Sequence, residues 1–227
     1  MIIDLEREKK LAAKEAVKLI GNHQIVGLGT GSTAKYAINE IGQLVKNGLQ
    51  IKAVATSLQT AELATRLNIP LIDIESVLAI DITIDGTDEF TTNLALIKGG
   101  GGALIKEKIV ASLSKTTIII ADSSKQVTTL GKFKLPIAVL PIACNYVMAQ
   151  IKNFHGAGVV RLIAGSPFIT DEGNYIIDGD FGLIDNPSSL STELNNIAGV
   201  VGHGLFINLA SKVIMGKDEA TISFLPS

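Results

Sequence analysis

Two short segments of the chain combine acidic side chains, a lysine and a run of glycines. Residues 85–90 read Asp-Gly-Thr-Asp-Glu-Phe, and Lys98, ten positions after Asp88, opens the run Lys-Gly-Gly-Gly-Gly. Consecutive glycines let backbone N–H groups approach a ligand closely. Carboxylates and a cation in that setting can move protons and hold a developing negative charge. The two segments therefore predict a site for proton-transfer chemistry.

The acids of this motif lie where an open α/β sheet binds its ligands. Asp85 and Asp88 come just after the apolar strand predicted at residues 79–84, and such sheets bind ligands outside the carboxyl ends of their strands. An Asp-Gly turn with a capping acid is the alternative interpretation. Glu107 lies near the start of the next predicted helix, where acids are common as surface residues that interact with the helix dipole. On these grounds alone Glu107 would be an ordinary surface residue.

A glycine-rich turn with three hydroxyl side chains is the second candidate binding segment. Residues 27–34 read Gly-Leu-Gly-Thr-Gly-Ser-Thr-Ala, between a predicted strand and a predicted helix. Backbone N–H groups at a helix N-terminus, with hydroxyls beside them, favour a phosphate monoester. The same residues fit the G-x-G-x-x-A pattern of dinucleotide sites, but that pattern needs an acid after the second strand, where residues 56–57 read Thr-Ser. A plain strand–helix turn is the third interpretation.

Other basic and metal-binding candidates are few. Lys125 follows the strand predicted at residues 116–121, and it either reaches an anion or stays solvated. The histidines, His23, His155 and His203, have no metal-ligand spacing with one another, with cysteine or with acids. No metal site is therefore expected.

Composition narrows the class of protein. Of the 227 residues, 47% are hydrophobic and 19% charged, which predicts a substantial core rather than disorder. The net charge of -2 argues against nucleic-acid binding driven by bulk charge. Apolar runs such as residues 118–121 are too short to span a membrane, and the charged N-terminus lacks the apolar stretch of a secretory signal. The single cysteine, Cys144, cannot form an internal disulfide, which fits a cytoplasmic protein.

Alternating strands and helices predict an α/β fold for the first part of the chain. Short apolar runs alternate with helical periodicity, which is typical of a Rossmann-like, mostly parallel sheet with helices on both faces. The predicted helices lie at residues 5–20, 32–45, 61–67 and 103–113, and the extended segments at 24–28, 51–55, 69–72, 79–84 and 116–121.

The pattern changes near residue 134 to a β-α-β-β-α-β order, which predicts a smaller inserted α+β (ferredoxin-like) domain. Its predicted elements are extended segments at 136–141, 159–163 and from 200 onward, helices at 145–154 and 187–197, and a hairpin with its turn at 171–174. We therefore predict an α/β catalytic domain of residues 1–133 plus 207–227, and an inserted domain of residues 134–206. Residues 220–225 are expected to return to the first sheet.

Taken in order, these motifs resemble ribose-5-phosphate isomerase of the A type over nearly the whole chain. The motifs that carry the resemblance are Gly-Thr-Gly-Ser-Thr at 29–33, Asp-Gly-Thr-Asp-Glu at 85–89, Lys-Gly-Gly-Gly at 98–101 with Glu107 and Lys108, Ala-Asp-Ser-Ser-Lys-Gln-Val at 121–127, Leu-Gly-Lys-Phe at 130–133 and Gly-Leu-Phe at 204–206. Thr87 and Gly102 each replace the alanine usual in the family. Residues 56–60 differ from the family's serine-rich loop and are left out of the predicted site.

The resemblance implies interconversion of D-ribose 5-phosphate and D-ribulose 5-phosphate through an enediolate, in the non-oxidative pentose phosphate pathway, without a metal or organic cofactor. By this likeness Glu107 is the base that moves a proton between C2 and C1. The resemblance also implies that the phosphate is bound by Thr30, Gly31, Ser32 and Thr33, with help from Lys9. Ring opening and hydroxyl contacts are assigned to Asp85 and Asp88, beside Gly86 and Thr87. The enediolate oxygens are held by Lys98, Gly99, Gly100 and Gly101, and Lys125 contacts the substrate.

Two other classes of function stay open from sequence. One is a noncatalytic sugar-phosphate sensor, and the other is a related sugar-phosphate enzyme such as an amino-sugar-phosphate deaminase or a lactonase. Turnover of ribose 5-phosphate would separate them from an isomerase. The resemblance further implies that the protein is a homodimer or homotetramer. It implies a small sugar phosphate as the binding partner, and neither a nucleic acid nor a membrane.

Overall fold

The structure, a computed structural model, describes residues 4–226. Over these residues the α-helices are α1 (Leu5–Val17), α2 (Ser32–Lys46), α3 (Leu58–Arg66), α4 (Leu104–Leu113), α5 (Cys144–Asn153) and α6 (Pro187–Asn195). The strands are β1 (Ile25–Leu28), β2 (Lys52–Ala55), β3 (Ile80–Gly86), β4 (Glu89–Phe90), β5 (Leu96–Ile97), β6 (Ser114–Ala121), β7 (Leu135–Val139), β8 (Ala157–Val160), β9 (Leu162–Ile163), β10 (Ser166–Pro167), β11 (Tyr175–Asp180), β12 (Val200–His203), β13 (Leu205–Phe206), β14 (Lys212–Lys217) and β15 (Ala220–Phe224). Among the described residues, no helix is both long and apolar enough to cross a membrane.

The large sheet has the strand order β15-β14-β6-β3-β1-β2. Its neighbouring strands are parallel except for the antiparallel pair of β14 and the edge strand β15. The mostly parallel sheet and the return of the C-terminal strand are thus confirmed. Because β2 lies on one side of β1 and β3 on the other, the turns after β1 and β3 diverge and leave a crevice at the carboxyl end of the sheet.

Both faces of the large sheet are covered. Alternate residues of β6 point to opposite faces, as the strand period requires. Ile118 and Ile120 pack in a cluster with α1 and α2, whereas Ile119 and Ala121 pack in a cluster that contains Ala111 of α4. The continuous apolar run in β6 therefore reflects burial on both sides, which is typical of parallel strands.

The second sheet is antiparallel and has the strand order β12-β7-β11-β8. Helix α5 connects β7 to β8 and α6 connects β11 to β12, so the predicted ferredoxin-like arrangement is confirmed. Both helices pack on one face of this sheet, for example through Val147 and Leu194. The same cluster includes Ile97 and Leu130 from before residue 134, so the predicted domain boundary stays a prediction.

Helix α4 lies between the two sheets. Val110 and Ala111 belong to clusters of the large sheet, while Leu104 packs against Ala138 and Ile176 of the antiparallel sheet. A helix with apolar contacts on two sides has little solvent-facing surface, so a polar residue on it is readily buried. This position of α4 determines the environment of Glu107.

Three local predictions differ from the structure. Helix α3 begins at Leu58, three residues before the predicted start at residue 61. The Ser57 hydroxyl accepts the N–H of Thr60 at 3.1 Å and so caps the helix at this position. The turn at residues 171–174 is present, but its flanks share only the bridge between Ile169 and Tyr175, since β11 is a central strand paired with β7 and β8. The extended segment at 69–72 contributes one isolated bridge to β2.

Candidate active site

A cavity opens at the carboxyl end of the large sheet. Its walls are the turn after β1, the turn after β3, the segment after β5, the start of α4 and the short helix Ser123–Lys125 after β6. The lining residues are Thr30, Gly31, Ser32, Thr33, Gly86, Thr87, Asp88, Lys98, Gly99, Gly100, Gly101, Glu107 and Lys125. The fold thus brings the predicted site residues together, except that Asp85 and Lys9 are not part of this lining.

The turn after β1 presents the N-terminus of α2 to the cavity. Gly31 is the N-cap of α2, has φ of 107° and provides no side-chain cap. The first N–H groups of a helix have no intrahelical acceptor, so those of Ser32 and Thr33 are available to an anion, with the positive end of the helix dipole behind them. The geometry suits a phosphate group at this end of the cavity.

The hydroxyl of Thr30 is held by a network from the segment after β2. Its Oγ1 lies 2.8 Å from Thr56 Oγ1, 2.9 Å from Ser57 Oγ and 3.2 Å from Thr60 Oγ1. Residues 56–60, which are not part of the predicted site, therefore stand directly behind the turn after β1. A usable signal was their position just after a parallel strand, at the same edge of the sheet as the other turns.

A buried cluster of charge forms the floor of the cavity. Lys98 Nζ lies 2.9 Å from Asp85 Oδ2 and 3.5 Å from Glu107 Oε2, and it donates a 2.6 Å hydrogen bond to the carbonyl oxygen of Gly86. Asp85 also accepts the N–H groups of Thr30 and Gly86 at 3.1 and 2.7 Å. Asp85 is therefore placed to position both Lys98 and the turn after β1, from behind the cavity wall.

Glu107 is the carboxyl group of this cluster with the fewest partners. Its side chain is buried, and its Oε2 has no hydrogen bond within the described residues, the contact with Lys98 being long. Burial raises the pKa of Glu107 to about 8; Asp85 and Asp88 add to the rise, and Lys98 opposes it. Burial disfavours the Lys98 charge, but the Asp85 and Glu107 carboxylates outweigh it and keep the pKa of Lys98 above its ordinary value. A carboxyl group with a pKa of about 8 thus lies beside a lysine whose positive charge is favoured.

The segment after Lys98 forms a tight loop, residues 99–102, called here the glycine loop. Gly99 and Gly102 have φ of 100° and 84°, values that residues with a Cβ rarely adopt. The N–H of Gly100 donates to Asp88 Oδ2 at 2.8 Å. The loop therefore brings its backbone to the cavity wall and holds the carboxylate of Asp88 there.

The two departures from the family pattern have structural explanations. The Thr87 hydroxyl lies 2.7 Å from the carbonyl oxygen of Glu89 and 2.9 Å from that of Ile97, so it joins β4 to β5. A Cβ added to Gly102 would lie 2.4 Å from Phe168 Cζ. The ring of Phe168 thus occupies the space that an alanine methyl group would need.

The two predicted lysines outside the buried cluster have different positions. Lys125 ends the short helix after β6 and lines the cavity. Lys9 is on α1, where its Nζ donates to Glu6 Oε1 at 2.7 Å, and its role as a phosphate helper stays a prediction. Among residues 4–226, no group of three or more His, Cys, Asp or Glu side chains could hold a metal ion.

Comparison with known proteins identifies the family. The model of the family described as ribose 5-phosphate isomerase A (phosphoriboisomerase A) matches residues 52–220. The chain belongs to the ribose 5-phosphate isomerase A family. It is 45% identical over 212 residues to ribose-5-phosphate isomerase A of Sphingopyxis alaskensis, with 93% of each chain covered. It is 47% identical over 209 residues to that of Bacillus mycoides, with 92% of this chain and 95% of the relative covered.

Solved structures of ribose 5-phosphate isomerases share the whole fold. A D-ribose-5-phosphate isomerase in complex with phospho-erythronic acid superposes with a TM-score of 0.95, at 40% identity, covering 98% of this chain and 99% of that one. The enzyme from Methanocaldococcus jannaschii superposes with a TM-score of 0.91, at 40% identity, covering 96% and 97%. The resemblance drawn from the sequence is confirmed, and with it the prediction of an aldose–ketose isomerase.

Proposed function

We propose that this protein interconverts D-ribose 5-phosphate and D-ribulose 5-phosphate with Glu107 as the base that carries the proton between C2 and C1. The observation that carries the assignment is the buried Glu107 carboxyl group, which lines the cavity, lacks a hydrogen bond on Oε2 and has a pKa of about 8. A general base works best when its pKa lies near the operating pH.

The proposed reaction moves one proton on carbon and one on oxygen. The ionised Glu107 takes the proton from C2 of the open-chain aldose, the C2–H electron pair forms the C1–C2 double bond, and the aldehyde oxygen becomes an oxyanion. Glu107 then returns the proton to C1. The proton of the C2 hydroxyl passes to the oxyanion on C1, so that C2 becomes the ketone and C1 carries a hydroxyl. One carboxyl group suffices for both carbon steps because the two carbons are adjacent.

The other lining residues fit the remaining tasks. The N-terminus of α2 binds the phosphate and orients the far end of the substrate. Lys98 and the glycine loop donate to the enediolate oxygens, and Asp88 contacts a substrate hydroxyl and assists ring opening. Asp85 is buried behind Lys98, which favours an indirect role through that lysine over the direct role in ring opening that the resemblance implies. Lys125 belongs to the same lining and serves as a substrate contact.

The test is ribulose 5-phosphate formation by wild type and Glu107→Gln in the presence of EDTA. We expect wild-type turnover without added metal and a fall in kcat of about 10²–10⁴-fold in the variant, the range typical of a lost general base. Glu62→Gln, the same change at an exposed residue of α3, is the matched control and should leave kcat unchanged.

Two results would overturn this assignment. A near-normal rate in Glu107→Gln would remove Glu107 from the proton path. Tight binding of ribose 5-phosphate by wild type without turnover would favour the sensor, and ammonia release from an amino sugar phosphate would favour a deaminase.

We further propose a homodimer or homotetramer in the cytoplasm. Ile142, Tyr146 and Leu162 expose 95%, 51% and 57% of their surface, apolar area that a second subunit would cover. Cys144 is buried and unpaired, as expected for a reducing compartment. Light scattering coupled to gel filtration measures the assembly, and a monomer at micromolar concentration would contradict the proposal.

A further inference from the structure

The glycine loop is held from outside the cavity by an arginine of the antiparallel sheet. Arg161 lies between β8 and β9, and its Nη1 donates to the carbonyl oxygens of Gly99 and Gly100, each at 3.0 Å. Its Nε donates to Asp178 Oδ2 at 3.0 Å, and Nη2 pairs with Asp178 Oδ1. Every nitrogen of the guanidinium group therefore has a partner, and the group has one fixed orientation.

These bonds determine which way the loop's peptide groups face. In a trans peptide the carbonyl and the following N–H point in opposite directions, and the described residues contain no cis peptide. The Gly99 carbonyl points to Arg161 and the Gly100 N–H points to Asp88, so this peptide is held at both ends. The Gly100 carbonyl also points to Arg161, so the N–H of Gly101 faces away from the arginine, toward the cavity that Gly101 lines.

A run of four glycines has little preference of its own for this arrangement. Glycine accepts both signs of φ, so a peptide group between two glycines can rotate with little steric cost. A rotated peptide would turn a carbonyl oxygen toward the enediolate in place of an N–H donor. Loss of one such donor typically costs about 10²–10³-fold in rate.

Phe168 completes the support from the same hairpin. Its ring packs against Gly102 where a Cβ would lie, and Arg161 Cζ is 5.9 Å from the ring centroid. Its backbone N–H donates to the Arg161 carbonyl oxygen at 2.8 Å. The arginine and the ring thus contact the two ends of the glycine loop as one unit.

We propose that Arg161 is a positioning residue for the isomerisation, which holds the glycine loop with the N–H of Gly101 toward the enediolate. This inference rests on the function proposed above. Arg161 acts through the loop, because its charge is paired with Asp178 and its donors are all directed to the loop carbonyls or to that carboxylate. The phosphate end of the cavity does not depend on it.

The test compares Arg161→Met, Arg161→Lys and Lys134→Met. The lysine variant keeps the charge beside Asp178 but cannot reach that carboxylate and both carbonyls at once. Lys134→Met is the matched control, since Lys134 pairs with Asp180 near the end of the same strand β11 and does not touch the loop. Each variant is assayed for kcat and KM with ribose 5-phosphate, and for inhibition by phospho-erythronic acid and by inorganic phosphate. The carboxylate of phospho-erythronic acid carries two coplanar oxygens, as the enediolate does.

For Arg161→Met we expect kcat to fall about 10–100-fold with KM changed less than about threefold. This pattern is typical when a lost interaction stabilises the transition state more than the bound substrate. Inhibition by phospho-erythronic acid should weaken while inhibition by inorganic phosphate stays unchanged. Arg161→Lys should recover only part of the rate, and Lys134→Met should match wild type. Amide hydrogen exchange of residues 99–102 should accelerate in both Arg161 variants.

A wild-type kcat in Arg161→Met, or equal weakening of both inhibitors, would overturn the inference. Full recovery of kcat by Arg161→Lys would show that charge, rather than the paired donors, is what matters, and would also overturn it. If wild type itself fails to isomerise ribose 5-phosphate, the proposed function fails instead. Unchanged exchange of residues 99–102 in Arg161→Met would then independently disprove the positioning of the loop by Arg161.

Discussion

Glu89 and Glu107 are buried to nearly the same extent, at 3% and 4% exposure, yet their surroundings differ completely. Both oxygens of Glu89 accept backbone N–H groups, from Gly131 at 2.8 Å and Phe133 at 2.5 Å. Among the described residues, Glu107 accepts none on Oε2, and Lys98, at 3.5 Å from this oxygen, also pairs with Asp85. Burial therefore accompanies two different arrangements. In one, two backbone donors satisfy the carboxylate; in the other, an oxygen lacks a donor and the pKa is raised.

Glu8 on α1 supports the same conclusion. Its oxygens accept the N–H groups of Ser123 at 2.8 Å and of Asp218 at 2.9 Å. Burial opposes the charge, but these donors outweigh it and hold the pKa of Glu8 below its ordinary value. Glu8 and Glu89 join distant segments of backbone, whereas Glu107 keeps an oxygen free for a substrate.

The sharpest test of this contrast is Glu89→Gln beside Glu107→Gln. The amide nitrogen that Glu89→Gln introduces would face a backbone N–H, so we expect a loss of about 1.5–3 kcal/mol in the free energy of unfolding, with kcat of the folded enzyme retained. Denaturant unfolding monitored by circular dichroism measures the first quantity, and the isomerase assay measures the second. A stable Glu89→Gln variant without activity would break the comparison.

The pH dependence of activity tests the proposed role of Glu107 in this contrast. Because the raised pKa of Glu107 is about 8, only a minor fraction is ionised at pH 7, and kcat/KM should rise about tenfold between pH 7 and pH 9. The raised pKa of Lys98 keeps the cation in place over that interval. A flat profile from pH 7 to pH 9 would contradict the assignment of Glu107 as the titrating base.

The raised pKa of Glu107 also affects stability, which should fall with rising pH although kcat/KM rises. Since the folded-state pKa of Glu107 lies above its ordinary value of 4.5, its contribution to stability is present in full below pH 4.5 and is lost as the pH rises toward 8. Glu107→Gln lacks this titration. Its Tm relative to wild type should therefore be higher at pH 8 than at pH 5, which thermal unfolding at the two pH values measures.

The smallest expected effect concerns Thr87, two residues before Glu89 and part of the same cavity lining as Glu107. Removal of the hydroxyl that joins β4 to β5 in Thr87→Ala should cost about 1 kcal/mol of unfolding free energy and leave KM within about twofold of wild type. Denaturant unfolding and steady-state kinetics check both values. A large rise in KM would show that Thr87 binds substrate directly.

Much of the fold and most of the cavity followed from local patterns. The alternation of strands and helices implied a parallel sheet, and the carboxyl ends of parallel strands lie at one edge, so the turns at 30–33, 85–88 and 122–125 had to meet. Arg161 was missed because its partners are backbone carbonyls about 60 residues away, for which a lone arginine in an extended segment has no local signal. Residues 56–60 were missed because they differ from the family's serine-rich loop, although their position after β2 places them at the same edge of the sheet.

The sequence by itself determined the alternation of elements, the glycines that allow the turns, and the family. It could not determine that the Glu107 carboxyl group is buried and has a raised pKa, because a glutamate in the first turn of a helix is usually a solvated surface residue. Only the tertiary structure decided this, by placing α4 between two sheets and leaving Glu107 beside Lys98 and Asp85. The physical reason is that a pKa depends on solvent and charges in three dimensions, and residues far apart in the chain supply both.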